Sequence, residues 1–389
     1  MAVSRLFAIE RYQDFSTRFR WSQYLDIAFS KHVCEKRGMS ASKQSQKVNT
    51  TLALAQYLGL SRWTVSRALN GHPGVKSETV DRVNEAMNEL GFSPNALARG
   101  LRGGKTGVVG VCFQTFGTPV FSKKLIALQK ILWGKGYRAI IELIENDAEA
   151  ERQVIRHFQS LKVEGIIFVG GPHDENLSLV EGLCANSSLS IVAIDPFSKV
   201  NLPQISLDRE YAMTLSMGKL FELGHRKIAL FGIRDDIIYG TERVKALKGA
   251  SKKLGLEWGK DVVIVSDQAF DGMNYEGGKR LASRFIESKL DSTAILAIND
   301  QVAIGAMGCL QENGVSIPKD VSIMGFDNLA VSSHLHPTLA SIDQCIDYST
   351  TEAVNILLGG MDGAGETTDS HLKVKPEVVD GESVGPARA

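Results

Sequence analysis

LALAQYLGLSRWTVSRALN, residues Leu52 to Asn70, has the form of two short helices separated at Gly59. Gly59 can adopt the left-handed conformation that ends a helix, and Ser61 suits the N-cap of the next one. Helical spacing predicts an apolar stripe on the first helix, formed by Ala53, Leu54, Tyr57 and Leu58. The pattern predicts a helix-turn-helix, and the alternative is an ordinary helical hairpin with a solvated polar face.

The second helix of this pair has a polar face suited to DNA. Val65 and Leu69 are expected to face the core, with Ala68 at their edge. The residues left for a major groove are Arg62, Trp63, Thr64, Ser66 and Arg67, followed by Asn70. Arg62, Trp63 and Arg67 are candidates for base contacts, whereas Thr64 and Ser66 are candidates for phosphate contacts.

A third helix and a short basic segment follow. Core spacing predicts a helix from Ser77 to Leu90, ended by Gly91. The segment 93–104 has Pro94 at a first helical position and two glycines at its end. So short a helix is marginal in water alone, which suggests a hinge that folds on DNA.

At this point the chain resembles the lactose-repressor (LacI/GalR) family of bacterial transcription regulators. TVSRALNG (64–71) and GFSPNALARGL (91–101) resemble the headpiece and hinge of that family. Further landmarks follow in the family's order: IENDAEAERQ (144–153), LKVEGIIFVG (161–170), FELGHRKIALFG (221–232), AINDQVAIGAM (297–307) and VSIMGFDN (321–328).

The resemblance implies a dimer that binds a pseudopalindromic double-stranded DNA operator. It implies DNA contacts by Asn95, Ala98 and Leu101, with Leu101 as a wedge at the operator's central step. Gly100 departs from the family, because a glycine inside the hinge helix costs up to ~1 kcal/mol relative to alanine.

Charge is unevenly distributed along a chain whose net charge is zero. Residues 1–46 and 47–105 each contain eight basic and four acidic residues, whereas the remainder contains 28 basic and 36 acidic residues. A basic head on an acidic body is typical of a nucleic-acid binder with a second, separate role. No apolar run approaches the ~18 residues of a membrane span.

Cysteine and histidine usage gives no sign of a metal or a disulfide framework. The five cysteines are scattered and form no CxxC pair, which suits a reducing cytoplasm. No cofactor or metal is expected. Residues 1–46 match nothing in the family, and three interpretations stay open: a disordered basic arm, an accessory helix around YLDIAF (24–29), or residues that precede a start at Met39.

From Thr106 onward, apolar strands alternate with helices. Buried strands are predicted at GVVGVCF, RAIIELI, GIIFVG, SIVAID, KIALFG, VVIVSD, AILAIN and VSIMGF. Such alternation predicts parallel sheets covered on both faces, and the number of strands favours two lobes. The first strand region has GVVGV in place of the glycine-rich GxGxxG motif of dinucleotide-binding proteins. A dinucleotide site is therefore disfavoured. The family implies periplasmic-binding-protein-like lobes, with the chain crossing near Ser206 and Ser341.

These patterns divide the chain into five parts. We expect a non-family extension (1–46), an all-α helix-turn-helix headpiece (47–92), a hinge (93–105), a two-lobed α/β domain for effector binding and dimerisation (106–377), and a flexible tail (378–389).

Polar residues at strand ends predict a ligand cleft between the lobes. Asp195, Asn299 and Asp327 follow three of the predicted strands, and Arg243 lies in a helical segment after another. By resemblance, Arg243, Asn299 and Asp327 match effector-contact positions and Asp195 a cleft position. Weaker candidates are Phe270 or Tyr275 as an aromatic wall, and Gln344, expected in a third crossing. The alternative for each strand-end residue is a helix cap.

The sequence therefore predicts a cytoplasmic, dimeric transcription regulator, a repressor controlled by a small polar effector such as a sugar. No Ser/His/Asp set, phosphate loop or metal cluster suggests an enzyme. Two other classes compete: a solute-binding protein for sugar transport, disfavoured by the headpiece and the absence of a signal peptide, and a sugar-active enzyme with an accessory DNA-binding domain, which an activity screen would test.

Overall fold

A computed structural model describes residues 48–69, 72–92, 105–113, 119–186, 189–235, 239–266, 273–362 and 371–388. The chain divides between Pro94 and Asn95 into two compact units, and each is described by itself. The predicted sites Asn70, Asn95, Ala98, Leu101 and Phe270 lie outside the described residues, as does the extension 1–46. Among the described residues, no helix has the length and apolarity needed to cross a bilayer.

The first unit is a three-helix headpiece made of α1 (Thr51–Leu58), α2 (Arg62–Leu69) and α3 (Ser77–Leu90). Gly59 ends α1 at φ 64°, and the Ser61 hydroxyl accepts a hydrogen bond from the Thr64 amide at 3.0 Å, as the sequence predicted. The core is formed by Leu54, Ala55, Val65, Ala68, Val83, Ala86 and Phe92.

The burial of three headpiece residues differs from the prediction. Tyr57 is 55% exposed and Leu69 is only half-buried, whereas Ala68 belongs to the core. The reason is that the core shared by the three helices centres on Leu54 and Ala55 in α1, which leaves Tyr57 at the surface.

The second unit begins with a lobe built on a six-stranded parallel sheet of order β11-β5-β4-β3-β1-β2. Its strands are β1 (Val108–Phe113), β2 (Arg138–Leu143), β3 (Gly165–Val169), β4 (Ser190–Ile194), β5 (Gln204–Leu207) and β11 (His371–Val374). Its helices are α4 (Pro119–Gly134), α5 (Ala148–Ser160), α6 (Leu177–Asn186) and α11 (Ile346–Met361). Apolar clusters cover both faces of the sheet, which explains the continuous apolar runs of β1, β3 and β4. β2 was predicted to be buried, but it is an edge strand and half-buried.

The other lobe has a four-stranded parallel sheet of order β7-β6-β8-β9. Its strands are β6 (Ile228–Phe231), β7 (Val262–Val265), β8 (Ala294–Ala297) and β9 (Ser322–Met324). The helices α7 (Arg209–Glu222), α8 (Gly240–Lys253), α9 (Tyr275–Ser288) and α10 (Asp300–Glu312) contribute buried side chains to one large apolar cluster. Short 3-10 helices lie at Asp174–Asn176 and Ala330–His334.

The chain passes between the lobes three times, which confirms the predicted two-lobed α/β fold with parallel sheets. It crosses after β5, returns after β10 (Ser341–Asp343), and crosses again between β11 and β12 (Glu377–Val379). The crossings near Ser206 and Ser341 were predicted. Gln344 follows β10 and lies in the second crossing rather than the third.

The C-terminal segment packs on the second lobe and corrects the expectation of a flexible tail over 378–389. β12 pairs with β10 in an antiparallel ribbon. The buried ring of His225 contacts the Gly385 carbonyl at 3.0 Å and the Thr293 hydroxyl at 2.8 Å, and the Ala387 amide donates to the Leu223 carbonyl. His225 thus has a structural role.

Two glycines, Gly278 on α9 and Gly305 on α10, let these helices approach each other closely, and this contact can be tested. A Cβ added to Gly305 would lie 1.9 Å from the backbone oxygen of Tyr275, whereas one added to Gly308 on the same helix meets nothing within 4 Å. Gly305→Ala should lower the free energy of unfolding by ~1–3 kcal/mol through overpacking. Gly308→Ala should be neutral or raise it by up to ~1 kcal/mol. Denaturant unfolding of both variants measures the difference, and equal stabilities would contradict the close contact.

Candidate ligand cleft and nucleic-acid interface

Asp195 joins the two lobes through a buried ion-pair cluster. It follows β4 in the first lobe, at φ 49°. Its carboxylate binds the Lys124 ammonium of α4 at 2.5 Å and the Arg209 guanidinium of α7 at 2.9 Å, and it accepts the Leu207 amide at 2.8 Å. Burial opposes ionisation of Asp195, but the two cations outweigh it and hold the pKa of the carboxyl well below its usual range. Because Arg209 begins the second lobe, this charged carboxylate holds the lobes together.

Tyr239 adds a second link between the lobes. It lies at the N-terminus of α8, and its hydroxyl donates to the backbone oxygen of Asp195. The Arg209 guanidinium stacks 3.3 Å from the centre of the tyrosine ring, and the Phe197 ring packs edge-on at 5.7 Å. Burial raises the pKa of Tyr239, so its hydroxyl stays protonated and able to donate.

Arg243, Asp327 and Gln344 form the next part of the cleft. Gln344 donates to the Asp327 carboxylate at 2.5 Å, and the buried Arg243 guanidinium lies 5.1 Å from the centre of the Phe326 ring. Burial raises the pKa of Asp327 to about 8, with a contribution from the nearby Asp300 carboxylate. Burial, together with the charge of Arg209, lowers the pKa of Arg243 to about 10. Asp327 is therefore mostly neutral at pH 7.

Asn299 has a different environment from Asp195 and Asp327. Its side-chain oxygen caps α10 by accepting the Val302 amide at 2.9 Å, and its nitrogen donates to the Met273 carbonyl at 2.8 Å. The helix-cap alternative thus describes Asn299 in this conformation. Tyr275, the second aromatic candidate, begins α9 and is exposed.

Sequence reasoning missed three residues of this cleft: Lys124, Arg209 and Tyr239. Lys124 carried a usable signal, because it lies on the buried face of α4 between Val120 and Ala127. Those two apolar residues pack with Leu329 and Ile346 in a small buried cluster. A lysine within an apolar stripe indicates a buried ionic partner.

The buried charges of the cleft do not balance. Lys124, Arg209 and Arg243 are three buried cations, whereas the charged acids beside them are Asp195 and the Asp300 carboxylate. The Nε atoms of Arg209 and Arg243 have no hydrogen-bond partner among the described residues. A cleft with surplus donors suits a ligand rich in oxygen acceptors.

The predicted DNA-reading helix exposes its polar face. Arg62 and Trp63 are exposed, Trp63 by 67%, whereas Thr64, Ser66 and Arg67 are half-buried. The Arg67 guanidinium stacks 4.3 Å from the centre of the Trp63 ring and binds His72 Nδ1 at 2.5 Å. Since a guanidinium can only donate, His72 Nδ1 must accept. His72, which sequence reasoning did not select, therefore fixes the position of Arg67.

Two regions of the chain match known protein families. Residues 54–95 match the bacterial regulatory proteins of the lacI family, and residues 217–384 match the periplasmic binding protein-like domain. Catabolite control protein A of Priestia megaterium is 28% identical over 332 residues, which cover 85% of this chain and 97% of that protein. The protein of the same name from Staphylococcus xylosus is 30% identical over 302 residues, covering 76% and 87%.

Solved structures share the fold. A lac repressor dimer bound to operator and the anti-inducer ONPF has a TM-score of 0.73 at 23% identity, with 86% of this chain and 98% of that chain covered. A complex of the transcriptional regulator CelR with cellobiose has a TM-score of 0.60 at 22% identity, covering 86% and 99%.

Together these findings define a DNA-binding transcription regulator with an effector-binding domain, a class of proteins that are not enzymes. The chain belongs to the lacI family of bacterial regulatory proteins.

The raised pKa of Asp327 predicts a specific pH dependence of stability. Between its ordinary value near 4 and about 8, the folded protein keeps a proton that the unfolded chain has lost. The contribution of Asp327 to stability is thus fully present below pH ~4 and is lost as pH rises toward 8. Asp327→Asn stays neutral at every pH. As pH rises through this window, its free energy of unfolding should increase relative to that of wild type by up to ~1.4 kcal/mol per pH unit.

Denaturant unfolding at pH 5, 6, 7 and 8 measures this difference. Asp235→Asn, which changes an exposed carboxyl, serves as the matched control. If the difference in free energy of unfolding between wild type and Asp327→Asn does not change with pH, the Asp327 carboxyl is not neutral in the folded protein.

Proposed function

We propose that this chain is a cytoplasmic homodimeric repressor whose operator binding is controlled by a small polar, sugar-like effector held between the two lobes. The observation that carries the proposal is the cluster of donors around Asp195 at the junction of the lobes, with Lys124, Arg209 and Arg243 in surplus over charged acids. Structurally similar regulators include CelR in complex with cellobiose and a lac repressor bound to ONPG.

Arg243 is the proposed anchor of the effector, because its guanidinium can bind two oxygen atoms at once and its Nε lacks a partner in the described residues. Asp195, Asp327 and Gln344 would accept from and donate to hydroxyl groups around it. Asn299 would join them by giving up its contact with Met273, and Phe270 would supply an aromatic wall.

The ion pairs of Asp195 suggest how an effector changes the protein. A ligand oxygen that binds Arg209 competes directly with the ion pair that joins the lobes. Ligand binding would therefore favour one orientation of the lobes, and in a dimer that orientation sets the spacing of the two hinges (93–105). If an inducer weakens DNA binding by a given factor, then DNA weakens inducer binding by the same factor.

The first lobe offers a surface for the proposed dimer. On α4, Ile126 is 66% exposed and Trp133 is 63% exposed. Arg138 stacks 3.5 Å over Trp133 from the edge strand β2, where Leu143 is also exposed. Large apolar side chains beside an open strand edge favour association with a second copy.

DNA contacts complete the proposal. The headpiece (47–92) would read bases through Arg62, Trp63 and Arg67 and bind phosphates through Thr64 and Ser66. By family resemblance Asn70, Asn95, Ala98 and Leu101 would add contacts, with Leu101 at the centre of a pseudopalindromic site.

Arg62→Ala should lose sequence discrimination while keeping general DNA affinity, because a base contact contributes ~1–3 kcal/mol of specificity. Selection from random DNA would first identify the operator, which footprinting should show to be symmetric. Lys76→Ala removes one headpiece charge outside α2 and should weaken operator and random DNA alike. If both variants lose affinity for operator and for random DNA to the same extent, Arg62 contacts phosphate only.

Arg243→Ala should yield a repressor that binds its operator but no longer responds to its effector. A thermal-shift screen of sugars identifies the effector, since a ligand at ~100 times its dissociation constant adds ~2.7 kcal/mol of stability. Lys252→Ala, an exposed change on the same helix, is the control. A normal response by Arg243→Ala would refute the cleft assignment, whereas loss of operator binding by the folded variant would indicate a corepressor.

A further inference from the structure

The exposed face of the predicted DNA-reading helix α2 carries a stacked cluster of side chains. Trp63 and Arg67 are four residues apart, so they lie on the same face of the helix. The Arg67 guanidinium stacks 4.3 Å from the centre of the Trp63 ring, and its Nη2 donates to His72 Nδ1 at 2.5 Å. We call these three side chains, Trp63, Arg67 and His72, the reading cluster.

Arg67 is held in place on several sides. His72 lies in the turn that follows α2, where the Gly74 amide also donates to His72 Nδ1, at 3.4 Å. A Cβ added to Gly74 would come within 2.7 Å of Arg67 Nη2, so the backbone of this turn packs against the guanidinium. The Nε atom of Arg67 is buried and has no hydrogen-bond partner among the described residues. The guanidinium is thus fixed between the indole ring and the turn that carries His72.

This arrangement restrains the Trp63 ring, which is nevertheless 67% exposed. Stacking on a fixed cation limits the motion of the ring in the unbound protein, which lowers the entropic cost of binding. The exposed indole is apolar apart from its one N–H donor. Trp63 is the second residue of α2, and the N-terminal residues of a recognition helix meet base edges in the major groove. An apolar ring in that position needs an apolar partner on the base edge.

The major groove offers such a partner on one base of the four. Thymine presents its C5 methyl group beside the O4 acceptor, whereas the edges of adenine, guanine and cytosine present hydrogen-bonding groups. An indole ring cannot form the paired hydrogen bonds by which arginine reads guanine or asparagine reads adenine. The chemistry of Trp63 therefore favours thymine over the other three bases.

We propose that Trp63 reads the C5 methyl group of a thymine in each half of the operator, and that His72 is a positioning residue that holds the ring in place through Arg67. This role of Trp63 rests on the proposed function, because it requires that the headpiece bind DNA. 5-Methylcytosine carries the same methyl group at the same ring position, so it should take the place of that thymine, whereas unmodified cytosine should not. Methylation of a cytosine at this position then strengthens binding.

The test uses the full chain and the operator selected from random DNA. Duplexes in which symmetric pairs of thymines are replaced by uracil, one pair at a time, are titrated by fluorescence anisotropy. At one thymine position, loss of the methyl group should weaken wild-type binding about 4-fold for each half-site. Trp63→Ala should bind the thymine and uracil operators alike, whereas Lys76→Ala, the matched control, should weaken both and keep the ratio of the two affinities. A 5-methylcytosine–guanine pair at that position should bind about 4-fold more tightly for each half-site than the unmethylated pair.

Variants of His72 test the positioning role. His72→Ala removes the acceptor of Arg67 and should lower the ratio of thymine to uracil affinity, because the ring is no longer held. His72→Asn supplies a side-chain oxygen as the acceptor and should restore that ratio. If His72→Asn behaves like His72→Ala, the hydrogen bond to Arg67 does not position the ring.

Three results would overturn the reading of a methyl group by Trp63: a selected half-site without thymine, wild-type binding that no uracil substitution changes, or a uracil effect that persists in Trp63→Ala. Each of them leaves the proposed function intact, because the chain still selects and binds an operator. Failure to select any sequence would instead overturn the proposed function, and the role of Trp63 with it.

Discussion

The carboxylate of Asp195 is the interaction on which the arrangement of the lobes depends. Removing this charge from water is costly, and only the two cations at 2.5 and 2.9 Å make the ionised form stable there. Lys124 comes from the first lobe and Arg209 from the second, so the carboxylate is satisfied only while the lobes stay together. Loss of the carboxylate would leave two buried cations without their acid. The proposed polar effector would compete for this contact, since it offers oxygen atoms to the Arg209 guanidinium.

Both acids of the cleft are buried, but their neighbours give them opposite charge states. Asp195 has cations on both sides and stays charged, whereas Asp327 faces Gln344 and the Asp300 carboxylate and holds its proton to about pH 8. One acid thus accepts hydrogen bonds while the other can also donate one. For the proposed hydroxyl-bearing effector, this difference would distinguish the two ends of the ligand, because donors and acceptors occupy fixed places.

The sequence predicted those parts of the fold that are encoded locally. Gly59, Ser61 and the apolar runs of β1, β3 and β4 act within a few residues of themselves, and the structure agrees with each prediction. The contacts of Asp195 with Lys124, Arg209 and Tyr239 join residues 71, 14 and 44 positions apart and depend on the crossings of the chain. β11 and β12 were missed because they are short and partly polar. The tail was misjudged because the partner of Gly385, His225, lies 160 residues away.

The threefold crossing of the chain also determines when each lobe can be completed during synthesis. β11, the edge of the first sheet, is made after the entire sheet of the second lobe. The second lobe in turn waits for β12 and for the Gly385 carbonyl that satisfies the His225 ring. Neither lobe is a contiguous stretch of sequence, so a nascent chain that still lacks β11 and β12 has two unfinished lobes. The effector-binding unit is therefore expected to fold as one cooperative body rather than one lobe at a time.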